Sequence, residues 1–161
     1  MAKVENLEFN ATVKYFWEKL GASAIMQLAS SVENHVSVRS VSCIMYDDVN
    51  KIMFKTDKNF EKTKQLAINS NVAMCKYNIN VEGVAENLGL VVDEPGRKFE
   101  ELYKEHLDGS YNAYSHEDTE VLIAVDPKLV EIWDCDEDNY AFHIYIDFDK
   151  KTAVKYWYDE H

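Results

Sequence analysis

Cationic and hydroxyl side chains are concentrated between residues 39 and 76 of an otherwise acidic chain. The whole sequence has 17 Lys and Arg residues against 29 Asp and Glu residues, a formal net charge of −12. Between residues 39 and 76 the balance is reversed, with seven Lys or Arg residues against four Asp or Glu residues. Because the rest of the chain would repel an anion, this local excess of cations indicates a site that holds one.

The residue types and their order suggest that the anion is a phosphate. Arg39 and Ser40 lie on one predicted strand, and Lys55 and Thr56 end the next one. Two adjoining strands would therefore present a guanidinium, an ammonium and two hydroxyls on a common patch. Lys62 falls at the start of the predicted helix that follows, where free N–H groups and a partial positive charge favour a phosphate. From these residues alone, a solvated basic surface without a ligand is an equally good interpretation.

Short strands dominate the elements that must position these groups. The β-branched run 35–46, the turn 47–50 and the return segment 51–56 predict a hairpin. Helices are predicted over 9–20, over 59–69 and from Pro95 onward, and residues 108–118 are expected to form a polar connection. Gly83 is predicted to be a bulge or a point of close approach. The other predicted strands are 24–29, 72–77, 81–92, 121–125, 129–134, 140–148 and 152–158. This succession predicts a barrel or a sandwich.

Length and charge exclude several classes of protein. A chain of 161 residues is expected to form one domain over residues 1–161. The net charge of −12 and the pI near 4.8 argue against binding to nucleic acid or to an anionic membrane surface. We find no secretion signal at the N-terminus and no apolar run long enough to span a bilayer, so the expected location is cytoplasmic.

Cysteines and histidines give no sign of a disulfide framework or a metal site. The three cysteines are an odd number, are widely spaced and form no Cys-x-x-Cys pair, which is typical of reduced thiols. The five histidines show no spacing typical of metal ligands, so no metal is predicted. We also find no nucleophile motif of a hydrolase, and no residue is assigned a catalytic role. The histidines are His35, His106, His116, His143 and His161.

The order of several short motifs resembles that of the pyridoxamine 5′-phosphate oxidase-related FMN-binding split-barrel family. This family includes flavin reductases, nitroimidazole-resistance proteins and general stress proteins. The resemblance covers residues 24–90 well and continues more loosely through residues 121–133. The matching residues are Arg39-Ser-Val, Phe54-Lys-Thr56, Lys62-Thr-Lys-Gln-Leu66, Asn69, Val72-Ala-Met-Cys75 and Val81-Glu-Gly83.

The resemblance implies a mainly β fold, a six-stranded antiparallel split β-barrel with flanking helices. It also implies a homodimer that binds FMN in two grooves at its interface. By position, Arg39 and Lys62 would hold the FMN phosphate with help from Thr56 and Ser40. Paired cations and hydroxyl donors suit a doubly charged phosphate, and arginine adds a bidentate fork.

Further FMN contacts follow from the same resemblance. Backbone groups near Val41, Ser42 and Lys55 would line the edge of the isoalloxazine ring. Asn78 would face its pyrimidine end, although a surface turn explains this residue equally well. Trp133 would pack near the ring from the partner subunit; the alternative is a tryptophan buried in the core.

Two departures from the family pattern restrict the function. The chain has only two arginines, Arg39 and Arg97, and lacks the Arg-x-His pattern that true pyridoxamine 5′-phosphate oxidases carry near the C-terminus. A vitamin B6 oxidase is therefore not expected. Phe60 stands where the oxidases have serine, which removes one hydroxyl donor for a phosphate, and Ser40 stands where many relatives have proline; phosphate binding is still expected.

The leading hypothesis from the sequence is an FMN-dependent oxidoreductase acting on a small planar substrate such as a nitroaromatic, a quinone or another flavin, with NAD(P)H as a candidate electron donor. The flavin would do the redox chemistry, and the protein would supply position and electrostatics. A non-catalytic flavin- or haem-binding carrier, sensor or stress protein is the second hypothesis. The third is a split-barrel dimer that has lost its cofactor.

Overall fold

Nine antiparallel strands form one continuous sheet within residues 3–158, the part of the chain that the computed structural model describes. The strands are β1 (Lys3–Leu7), β2 (Ser23–Val32), β3 (His35–Tyr46), β4 (Lys51–Asp57), β5 (Asn71–Lys76), β6 (Ile79–Leu90), β7 (Glu120–Cys135), β8 (Ala141–Asp147) and β9 (Thr152–Trp157). The helices are α1 (Phe9–Leu20), α2 (Glu61–Ile68), α3 (Gly96–His106) and α4 (Asp108–Tyr114). None of the helices within the described residues has the length and apolar character that crossing a membrane requires.

Six of the strands close into a barrel in the order β7-β4-β3-β2-β5-β6, because β6 also pairs with β7. The long strand β7 takes part in three pairings. Its first part, up to Val125, pairs with β4, and its last part, from Leu129, pairs with β8. Strands β8, β9 and β1 extend the sheet beyond the barrel on this side. The predicted six-stranded split barrel is therefore confirmed.

Alternating side chains on the barrel strands separate an inner core from an outer face. Val41, Cys43 and Met45 of β3 and Ile52 and Phe54 of β4 all belong to the inner core. Helix α1 adds the fully buried side chains of Phe16 and Leu20 to the same core. This alternation places Ser40 and Ser42 on the outer face of β3, and Lys55 on the outer face of β4.

A second hydrophobic cluster lies outside the barrel, where α3 packs against the sheet. It joins Ile44 of β3 and Leu122 of β7 to Phe99 and Tyr103 of α3. The 3.6-residue period of α3 brings its apolar side chains onto this one face. Helices α3 and α4 therefore cover the outer face of β3, β4 and β7, next to the predicted phosphate-binding residues.

Three elements differ from their predictions. The segments 121–125 and 129–134, predicted as two strands, are one continuous strand, since Pro127 sits at a register shift and disturbs the pairing little. Residues 108–118, predicted as a connection, contain α4. Strand β1 was not predicted, because its first four side chains are all exposed and show no alternation. The turn between β2 and β3 consists of Glu33 and Asn34.

Gly83 allows β6 and β7 to approach each other closely. The pairing shifts register between Glu82 and Gly83, as predicted for a bulge. A Cβ atom at Gly83 would lie 2.7 Å from the carbonyl oxygen of Asp126 and 2.8 Å from Cγ1 of Val125. A larger residue at this position would therefore push the two strands apart where they close the barrel.

We expect Gly83→Ala to lower the free energy of unfolding by about 1–3 kcal/mol, because the added methyl group overlaps backbone atoms that cannot move freely. Urea denaturation measures the change. Gly109→Ala is the matched control, because a Cβ atom at Gly109 meets nothing within 4 Å. Equal stability of the two variants would contradict the close approach at Gly83.

Candidate functional site

Arg39 lies on β3 and joins it to α2 through a polar network. Its guanidinium donates to Oγ of Ser30 at 2.6 Å and to Oε1 of Gln65 at 2.8 Å. The Ser30 hydroxyl in turn donates to Oε1 of Gln65 at 2.7 Å. These bonds fix the direction of the guanidinium and use two of its five N–H groups, so three remain for a ligand.

Lys62 occupies the first turn of α2 and points back to β4. Its ammonium donates to Oγ1 of Thr56 at 3.0 Å and lies 4.9 Å from the centre of the Phe60 ring. Phe60 is the N-cap of α2 and has no side-chain acceptor for the first N–H groups of the helix. A cation, a buried hydroxyl and uncapped N–H groups therefore lie together at this helix end.

The charges of Arg39 and Lys62 are not neutralised by an adjacent carboxylate. Neither cation forms an ion pair with another residue between positions 3 and 158. Burial lowers the pKa of Lys62 from its ordinary value, and the charge of Arg39 lowers it further, although Asp57 partly opposes this. Burial also lowers the pKa of Arg39. Two half-buried cations close enough to repel each other suit an anion that carries two charges.

A cavity of about 330 Å³ lies beside Lys62, between the barrel and helices α3 and α4. Of the predicted cofactor-binding residues, Ser40, Val41, Ser42, Lys55, Thr56 and Lys62 line it. Asp57, Phe60, Tyr103, Ser110, Tyr114, His116 and Glu120 complete the lining. Arg39 is not among the lining residues, but its charge lowers the pKa of Lys62. The structure thus brings six of the nine predicted residues to the cavity, and Arg39 interacts electrostatically with one of them.

Lys55 has buried partners of its own. Its side chain is only 4% exposed, and its ammonium lies 3.0 Å from Oε1 of Glu100 and 2.8 Å from Oε2 of Glu120. Both are ion pairs by distance, although the angles at these two oxygens are not those of hydrogen bonds. The ammonium also donates to Oγ of Ser115 at 2.8 Å. The charge of Lys55 is therefore paired within the protein and is not available to a ligand.

The Lys55 ion pairs also shift the pKa values of the groups involved. Burial by itself would lower the pKa of Lys55, but the carboxylates of Glu120 and Glu100 outweigh it, and the pKa is raised. Burial raises the pKa of Glu100, against the opposing charge of Lys55. Because Glu100 belongs to α3, Glu120 to β7 and Lys55 to β4, the ion pairs fasten α3 to the outer face of the barrel.

Seven lining residues were not predicted: Asp57, Phe60, Tyr103, Ser110, Tyr114, His116 and Glu120. The last five come from α3, α4, the loop after α4 and the start of β7, which the sequence shows only as an amphipathic helix followed by a Tyr-rich connection. The Tyr103 and Ser110 hydroxyls, 2.8 Å apart, form a hydrogen bond that ties α3 to α4. The apolar stripe of α3 signals that it covers part of the sheet, but it does not tell which part.

Asn78 and Trp133 lie together, apart from the cavity. The backbone N–H of Trp133 donates to the carbonyl oxygen of Asn78 at 3.0 Å, and the Asn78 side-chain amide donates to the carbonyl of Trp133. Trp133 lies 13 residues after Glu120, about 40 Å further along β7. Its ring is 43% exposed and stacks on Tyr158, with ring centres 5.7 Å apart, so it is not a core residue.

Chemistry rather than size identifies the site. A larger cavity of about 480 Å³ lies between α1 and the turn after β3. Among its lining residues, the indole N–H of Trp17 already donates to Oδ1 of Asn50 at 2.8 Å, and Lys14 is exposed and paired with Glu18. That cavity has no pair of adjacent cations. Between residues 3 and 158, no group of three or more His, Cys, Asp or Glu residues is placed to hold a metal ion; His161 lies outside the described residues.

Solved structures share this fold. PhzG from Burkholderia lata 383, in complex with tetrahydrophenazine-1-carboxylic acid, is 14% identical with a TM-score of 0.61, over 95% of this chain and 93% of that one. A pyridoxamine 5′-phosphate oxidase-related, FMN-binding protein from Nostoc punctiforme PCC 73102 is 13% identical with a TM-score of 0.58, over 94% and 95%. An FAD-binding protein from Mesorhizobium loti is 14% identical with a TM-score of 0.55, over 95% and 98%.

These similarities confirm, at the level of the fold, the resemblance inferred from the sequence motifs. The described chain has the split-barrel fold of these solved structures. No family model matches the sequence, and no curated protein matches it. The roles of individual residues must therefore be argued from the geometry of this chain.

Lys55→Met should lower the free energy of unfolding at pH 7 by about 3–5 kcal/mol, because it leaves two buried carboxylates without a counter-charge. The loss should diminish as the pH is lowered from 7 to 5. Burial already raises the pKa of Glu100, and without the opposing charge of Lys55 it rises further above its unfolded value, so the folded protein takes up a proton and gains stability as the pH falls. Urea denaturation at several pH values measures this.

Lys104→Met is the control for Lys55→Met, since Lys104 is exposed on α3, the helix that carries Glu100. We expect it to change the unfolding free energy by less than about 1 kcal/mol at every pH. A Lys55→Met protein as stable as this control would show that the buried ion pairs do not fasten α3 to the barrel.

Proposed function

We propose that this protein binds FMN at the cavity and acts as a flavin-dependent oxidoreductase on a small planar substrate. The observation that carries the proposal is the pair Arg39 and Lys62, two half-buried cations without a carboxylate partner among residues 3–158. Keeping such a pair together is costly unless an anion neutralises it. In a chain with a net charge of −12, this is a selective place for a phosphate.

The groups around this pair fit a terminal phosphate. Arg39 has unused N–H groups in a fixed orientation, and Lys62 is held by the buried Thr56 hydroxyl. The first N–H groups of α2 would donate to the same anion. The flavin ring would then extend over the outer face of β3, along Ser40 and Ser42. Bound FMN would supply hydride or single-electron transfer, and the protein would hold and orient it.

The solved structures with this fold support a flavin as the ligand class. An FMN-binding protein, an FAD-binding protein and an F420 reductase are among them. FMN is proposed here because its phosphate is terminal and only one cation of the pair, Lys62, lines the cavity, with Arg39 close enough to lower its pKa. NAD(P)H is the proposed electron donor. The absence of an Arg-x-His pattern near the C-terminus argues against pyridoxamine 5′-phosphate as the substrate.

A homodimer is part of the proposal. Beside Ser40 and Ser42, the outer face of β2 and β3 exposes Ile25, Val36 and Val38, the two valines by 73% and 68%. Exposed apolar side chains that adjoin one another on a sheet are typical of a protein interface. A second copy covering this patch would also enclose the proposed flavin ring. Asn78 and Trp133, which lie apart from the cavity in one chain, would then reach the flavin from the partner.

We expect Arg39→Ala and Lys62→Ala each to weaken FMN binding about 10- to 100-fold, since each removes a charge-assisted hydrogen bond to the phosphate. Quenching of flavin fluorescence on titration measures the affinity. Lys64→Ala is the matched control, because Lys64 is exposed on the same helix and paired with Glu61. Riboflavin, which lacks the phosphate, should bind the unchanged protein as weakly as FMN binds the double variant.

Equal affinity for riboflavin and FMN would contradict the phosphate site.

The same proteins also distinguish an enzyme from a carrier. An enzyme with FMN bound should oxidise NADH or NADPH in the presence of a nitroaromatic or a quinone, and Arg39→Ala should lose this turnover at low FMN concentration. Tight FMN binding without turnover on any donor and acceptor pair would favour the carrier.

Val38→Glu should convert the proposed dimer into a monomer, because it places a charge in the apolar patch. Sedimentation equilibrium measures the mass, which is 18.7 kDa for one chain. Lys14→Gln on α1, which changes the net charge by the same one unit outside the patch, is the control and should remain dimeric. A monomeric unchanged protein would show that the patch does not join two copies.

A further inference from the structure

One end of the cavity is built by residues that have no part in the proposed phosphate site. Glu120 at the start of β7 forms one wall, and Tyr103, Ser110, Tyr114 and His116 form the others. All of them lie outside the barrel strands that carry Arg39 and Thr56. We call this end, defined by these five residues, the α3–α4 end of the cavity.

The α3–α4 end presents a carboxylate oxygen. The side chain of Glu120 is only 9% exposed, and its Oε2 is engaged by Lys55 at 2.8 Å. Its other oxygen, Oε1, accepts no hydrogen bond from the residues that the structure describes. Lys55 cannot neutralise the wall completely, because one ammonium faces the two carboxylates of Glu100 and Glu120. A ligand at this end therefore meets a carboxylate oxygen of Glu120 that is open to a hydrogen-bond donor.

Aromatic and hydroxyl groups surround this acceptor. The buried Tyr103 hydroxyl is already bonded to Ser110, which holds the two side chains in place. Tyr114 and His116 add two further rings to the lining. Flat side chains around one anionic acceptor favour a planar ligand that donates from a nitrogen.

The two ends of the cavity thus have opposite preferences. Lys62 and Thr56 attract an anion, whereas the α3–α4 end attracts a cation or an N–H donor. The whole cavity measures about 330 Å³, which is at the lower limit for ligand pockets, so its α3–α4 end suits only a small ligand. A flavin held by its phosphate and lying along the outer face of β3 would leave this end for a second molecule.

We infer that the α3–α4 end is a substrate subsite that selects small planar cations or N–H donors, such as aromatic amidines, amines and protonated nitrogen heterocycles, through the carboxylate of Glu120. The inference rests on the proposed function, since it assigns this end to the substrate and the other to the flavin. It makes Glu120 the residue that determines specificity. Planar carboxylates of the same size are disfavoured by the same charge.

Benzamidine and benzoate test this inference, because they have the same ring and opposite charges. Isothermal titration on the protein with and without FMN measures their affinities. We expect benzamidine to bind at least about tenfold more tightly than benzoate, and Glu120→Gln to reduce this preference by about tenfold. Glu117→Gln is the control, because Glu117 is bonded to Tyr111 and does not line the cavity. It should keep the preference.

Glu120 also pairs with Lys55, so a loss of binding in Glu120→Gln can result from misfolding. A second variant, at a residue outside this ion pair, separates the two causes. Tyr114→Ala removes an exposed lining ring and should weaken benzamidine binding several-fold in a protein that unfolds like the parent. Equal affinities for benzamidine and benzoate would overturn the inference. Displacement of FMN by benzamidine would also overturn it, because the α3–α4 end would then belong to the flavin site. If the protein fails to bind FMN, the proposed function fails, while the flavin-free titration still decides whether Glu120 selects cations.

Discussion

The pairing of β6 with β7 is the constraint on which the rest of the structure depends. It closes the sheet into a barrel, and it requires the two backbones to approach at Gly83, where no side chain fits between the strands. Strand β7 also pairs with β4 over its first residues. This second pairing places Glu120 opposite Asp57 and beside Lys55. The registers that hold the barrel together therefore also position the cavity walls.

Cations near the cavity are used in two different ways. Lys55 is almost completely buried and paired with two carboxylates, so its charge holds α3 against the barrel and is not available to a ligand. Arg39 and Lys62 are half-buried and bonded only to neutral groups, so their charges remain available. The same residue type thus serves structure in one case and a ligand in the other. The difference lies in the acidic partners that α3 and β7 bring to Lys55, not in the local sequence around it.

Helices α3 and α4 cover one side of the barrel and line part of the cavity. They cover the outer face of β3, β4 and β7 through Phe99, Tyr103 and Leu122, and they bring rings and hydroxyls to one end of the cavity. The barrel strands supply the groups that suit a phosphate. Helices α3 and α4, with the start of β7, supply the groups that would meet a second molecule. The two ends of the cavity are therefore built by different elements.

The sequence by itself determined the fold class and the phosphate-binding candidates. Alternation along residues 35–56 and the order of Arg39, Thr56 and Lys62 are local patterns, and local patterns survive into the structure because each strand must bury one face. Strand β1, helix α4 and the continuity of β7 escaped prediction, since they depend on edge pairing and on a register shift at Pro127. Only the tertiary structure decided that Lys55 is paired, that Glu120 reaches the cavity, and that Asn78 and Trp133 lie elsewhere. Each of these results from contacts between residues tens of positions apart, and such contacts produce no periodic pattern in the sequence from which they could be predicted.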